Sequence, residues 1–85
     1  MIVEVEQIRS AYSRAKSYFA RTNDISKYMG NDYRPQEYAE KFLADFGAAN
    51  GLTVLIDYWT QDFPVINFVK FDSKQDYAWF VLRWS

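Results

Sequence analysis

Carboxylates, amines, hydroxyls and aromatic rings are the side chains with which this 85-residue chain could do chemistry, because it contains no histidine and no cysteine. Losing both removes the usual neutral-pH base, thiol nucleophiles, disulfides and the commonest zinc ligands. A serine, threonine or lysine nucleophile needs an activating partner, and the frequent partners are the absent ones. Paired carboxylates remain, as in glycoside hydrolysis. Glu37 and Glu40, however, fall in the first turn of an expected helix, and Asp57, Asp62, Asp72 and Asp76 lie mostly at expected turns, where capping and solvation are the common uses. With three glycines in all, the chain has no glycine-rich phosphate loop. The segment Asp72-Ser-Lys-Gln-Asp76 also lacks the spacing and central glycine of a calcium loop. The expectation is therefore no catalysis and no bound metal, cofactor or nucleotide.

Recognition is the chemistry left. Arg9 and Lys16 are seven residues apart, as are Arg14 and Arg21, so on a helix each pair lines up along one edge. Such rims ordinarily keep a helix soluble, and they can also contact an anion or a partner. A net charge of −1 provides no concentrated field of one sign. The charge is uneven, with six basic and four acidic residues in 1–34 against four basic and seven acidic in 35–85.

Three runs, 52–59, 63–71 and 77–84, are rich in β-branched and aromatic residues and hold all three tryptophans. They read as strands, and the short polar gaps between them read as hairpin turns, which predicts a β-meander. Pairing Trp59 with Phe63 and Phe71 with Tyr77 separates two faces. One face, from Val54 through Ile56, Phe68 and Phe80 to Trp84, is the expected core. The other carries Asp57, Trp59, Phe63, Val69, Phe71, Tyr77, Trp79 and Arg83.

Ahead of the strands, Ile8, Ala11, Tyr12, Ala15, Tyr18 and Phe19 follow the spacing of one helical face and predict a helix over about 4–22. Ile2, Val3 and Val5 offer a short edge strand instead at its start. Asp24 is expected to cap a short turn through Met29, with Gly30 closing it. Pro35 suits a first helical position, followed by Tyr38, Phe42, Leu43, Phe46 and Ala49 on one stripe and a stop at Gly47 or Gly51. The predicted fold is α+β: two helices packed on one face of a three-stranded antiparallel β-meander, in the order α-α-β-β-β, as a single domain over 1–85.

On that fold the second sheet face is the working surface. The expected function is a small non-catalytic protein-interaction module, with Trp59, Val69 and Trp79 at the centre and Asp57 and Arg83 as a polar rim. Self-association as a structural homodimer is one alternative. Another is single-stranded nucleic-acid binding, with bases stacked on Trp59, Phe63, Phe71, Tyr77 and Trp79 beside the basic first helix. Four aspartates in 52–85 against Lys70, Lys74 and Arg83 disfavour it. The acidic start and the lack of an apolar run near the roughly 20 residues of a membrane helix lead to the expectation of a soluble, cytoplasmic protein with no membrane partner. In general profile, a lone small aromatic-rich domain without a catalytic motif is similar to the inhibitors that phages and other mobile elements carry against host defence proteins, of anti-CRISPR or anti-restriction type. No motif carries that likeness, and it transfers no residue.

Overall fold

A computed structural model describes residues 1–28 and 34–85 of the chain. Strand β1 (Ile2–Glu4) leads through a 3₁₀ turn (Val5–Ile8) into helix α1 (Arg9–Thr22), and a second 3₁₀ turn (Ile25–Tyr28) precedes helix α2 (Pro35–Asn50). Strands β2 (Leu52–Thr60) and β3 (Phe63–Phe71) form a hairpin, and helix α3 (Lys74–Trp84) ends the chain. The sheet is antiparallel with the order β1-β3-β2. The α+β class is as expected, but the element order is β-α-α-β-β-α, and the expected meander is replaced by one hairpin with a short edge strand beside it.

Several local expectations hold. Ile8, Ala11, Tyr12, Ala15 and Phe19 are buried, whereas Tyr18 is exposed. Asp24 accepts from the Ser26 amide and hydroxyl at 3.0 and 2.6 Å and so starts the second 3₁₀ turn. The expected end of that turn at Met29 and Gly30 lies outside the described residues. Pro35 opens α2, and Gly51 ends it in the left-handed conformation at φ 70°. Gly47 is instead inside the helix, where its missing side chain lets the Leu52 carbonyl approach the α2 backbone.

The expected third strand is α3. Ser73 caps it, its hydroxyl accepting from the Asp76 amide at 3.1 Å while donating to the Asp76 carboxylate at 3.1 Å. Its inward side chains Tyr77, Phe80, Val81 and Trp84 follow helical spacing. The sheet position this leaves open is taken by β1. Phe71 exchanges two backbone hydrogen bonds with Met1, donating its amide at 2.8 Å and accepting from the Met1 amino group at 2.9 Å.

The hairpin register also differs. Its turn has two residues, Gln61 and Asp62, with Gln61 at φ 55°, so Thr60 faces Phe63 and Trp59 faces Pro64. A one-residue slip exchanges the faces of a strand. Val69 and Phe71, expected on the open face, are therefore fully buried, and Phe68, expected in the core, is 40% exposed. Ile56 is only partly buried. Shifts on either side of Ile56 leave Asn67 and Asp57 without cross-strand partners, and the Asn67 amide donates to Asp57 at 2.9 Å.

One core joins all these elements: Val3, Ile8, α1, Phe46 of α2, Leu52, Val69, Phe71 and Phe80 of α3. Phe46 meets Tyr12 and Phe19 edge-on, with ring centres 5.6 and 5.9 Å apart.

Candidate protein-binding surface

Helix α3 has one face committed to the core. The ring of Phe71 contacts Tyr77 at 5.4 Å and Phe80 at 5.5 Å, while Trp84 lies 5.2 Å from Tyr18 and donates its indole N–H to Asn50 at 3.3 Å. With 77, 80, 81 and 84 inward, helical geometry turns 75, 78, 79 and 82 outward. Trp79 is accordingly 64% exposed and Leu82 is 72% exposed, one turn apart. Arg83 is exposed beside them, its guanidinium 5.0 Å above the Trp84 ring. Trp79 and Arg83 border a cleft of about 290 Å³ with Asn50, Gly51 and Asp76.

The other expected site residues are elsewhere. Trp59 is partly buried opposite Pro64, Asp57 sits at the bulge, and Val69 is in the core. Of the predicted patch, Trp79 and Arg83 share a surface, and Leu82 is the neighbour that a strand reading assigned to the core. Its signal in the sequence is the i, i+3 spacing to Trp79 once the segment is read as a helix.

Among the basic residues, Arg9 pairs with Glu6 at 3.5 Å and Arg14 donates to the Trp84 carbonyl at 3.5 Å. Lys16 lies over the Tyr12 ring at 5.8 Å, and burial pulls its pKa down. Arg21 is exposed in the last turn of α1. Phe71 is buried, so its ring offers no free face for a base, and Tyr77 is partly buried against it. Two of the carboxylates are used structurally: Glu37 pairs with Arg34 at 3.5 Å, and Asp76 completes the α3 cap. Among the described residues no group of three or more acidic side chains gathers as a metal site, and no helix is long and apolar enough to cross a membrane.

Two tyrosines are perturbed. The Tyr12 hydroxyl is buried with no hydrogen-bond partner among the described residues, and burial raises its pKa. Tyr28 donates to Asp45 at 2.7 Å; burial first, then that hydrogen bond and the Asp45 charge, push its pKa from 10.0 up to about 12. A raised folded-state pKa means that the unfolded chain loses this proton first, so the contribution is complete below pH 10 and is lost as pH rises towards about 12. Denaturant unfolding across that window should show wild-type stability falling more steeply than that of Tyr28→Phe. Equal slopes would remove Tyr28 from this role.

Compared with protein-family models, curated proteins and solved structures, the chain matches none.

Proposed function

We propose that this chain is a small non-catalytic protein-interaction module whose α3 face, centred on Trp79, docks on a protein partner. The observation that carries this reading is the pair Trp79 and Leu82, both large, apolar and mostly exposed, adjacent on a helix whose opposite face is committed to the core. Exposed tryptophan and arginine side by side resemble the composition of interface hot spots. The complementary partner surface is an apolar groove, the usual seat of an amphipathic helix face, with a carboxylate to meet Arg83. Blocking a host protein by such contact is how an inhibitor of the mobile-element kind would act.

The Trp79→Ala variant should bind an affinity-captured partner about 2 kcal/mol or more weakly, roughly 30-fold, because truncating a central aromatic anchor has that scale of effect. Its thermal midpoint should stay within a few degrees of wild type, since the side chain touches little of the core. Titration calorimetry beside thermal melting reads both quantities. Unchanged affinity, or unfolding of the variant, would sink the assignment. Binding of single-stranded DNA that collapses with salt and with loss of Arg9, Arg14, Lys16 and Arg21 would favour the nucleic-acid reading instead.

A further inference from the structure

We propose that the open edge of β2, together with the cleft it forms against α2, takes an extended peptide strand carrying apolar residues at alternate positions and lysine or arginine beside them. This goes beyond the α3 surface and has its own chemistry, although the clefts meet at Gly51.

The amide and carbonyl of Phe71 are both used by Met1, so they point towards β1, and alternation along β3 turns those of Val69 the same way. Leu52 and Val54 stand opposite Phe71 and Val69. Their own amides and carbonyls therefore point away from β3, out of the sheet. The Leu52 carbonyl lies against Gly47 of α2, which fits this direction. Val54 is left presenting a donor and an acceptor at a strand edge that no described residue pairs.

Sheet edges in native proteins are usually blunted by shortness, charge, proline, bulges or a covering helix. The opposite edge, β1, has three residues, whereas β2 has nine with neither lysine nor proline, and its bulges and its one charge, Asp57, lie beyond 52–55. The bulges flanking Ile56 split the strand's regular pairing with β3 in two and set off a first half, 52–55. That half borders a cleft of about 390 Å³, whose α2 wall is made by Leu43, Ala44, Gly47 and Ala48. Small side chains there leave room for those of an added strand.

Charge selects the occupant. Glu40 and Asp72 stand in the same cleft wall, no basic residue lines it, and neither carboxylate has an ion-pair partner among the described residues. A second copy pairing through β2 would bring Asp57 as its only charged side chain in that strand and no cation. A basic, alternating peptide satisfies both the backbone and the carboxylates.

The test uses a blocked peptide, Lys-Thr-Val-Lys-Val-Thr-Val-Lys, and its counterpart with glutamate for each lysine. The lysine peptide should bind the whole chain and protect the Val54 amide from hydrogen exchange, and Val54→Pro should weaken it at least about tenfold, since proline removes the outward donor. Glu40→Gln combined with Asp72→Asn, both on the surface, should weaken it as well, and the glutamate peptide should bind at least about tenfold more weakly. No binding of the lysine peptide, equal binding of the two peptides, or binding without Val54 protection would overturn the proposal. A Val54 amide already protected in a dimer without peptide would overturn it too, in favour of self-pairing. Trp79→Ala tests the other surface, so either assignment can fail while the other stands.

Discussion

Replacing Phe46 by alanine should cost about 3 to 5 kcal/mol, a large share of the roughly 5 to 15 kcal/mol that holds a domain of this kind together. The ring is fully buried on α2, in T-shaped contact with the rings of Tyr12 and Phe19 from α1. Removing it loses both its own transfer from water and the contacts of rings that cannot collapse into the space while helices hold them apart. Urea unfolding followed by far-ultraviolet circular dichroism is the measurement. A loss below about 1 kcal/mol would show that the site relaxes freely and that α1 and α2 do not meet there.

Much of this packing was legible in the sequence because helical stripes and caps are local signals. Pro35 and Gly51 bound α2 where their backbone preferences place them, and the buried face of α1 follows its apolar spacing. Residues 77–84 went the other way. Their aromatic and β-branched content reads as strand, yet Ser73 and Asp76 have capping-box spacing, and Tyr77, Phe80, Val81 and Trp84 fall at i, i+3, i+4 and i+7. Composition outweighed position in that reading, and position was the better guide.

The hairpin register was hidden for another reason. A two-residue turn with a left-handed first residue is usually announced by glycine or asparagine, and here Gln61 occupies it. The bulges at Asn67 and Asp57 are joined by a side-chain hydrogen bond across the strands, which no local pattern reveals. For the candidate site, Trp79 is outward whether its segment is strand or helix, so its exposure survived the wrong assignment. Val69 changed sides with the register, and Leu82 became visible only when the helix did.

Phe71→Ala should also cost about 3 to 5 kcal/mol, and it decides between the two registers. With Trp59 opposite Phe63, Phe71 would stand on the open face, where truncation typically costs under about 1 kcal/mol. With Trp59 opposite Pro64, its ring is fully buried between the sheet and α3, against Tyr77 and Phe80. The same residue holds β1 through its exchange with the Met1 backbone, so its ring and its main chain tie the helix and the edge strand to one point. Backbone pairing does not need the ring, and β1 should remain docked in the variant while α3 loosens. Hydrogen exchange should accordingly show lost protection in 77–84 ahead of β2 and β3. Combining Phe71→Ala with Phe80→Ala should cost less than the two losses added together, because the two rings share one contact and the second truncation enlarges a cavity already open. Strict additivity would mean that the two rings are independent and that α3 is anchored elsewhere.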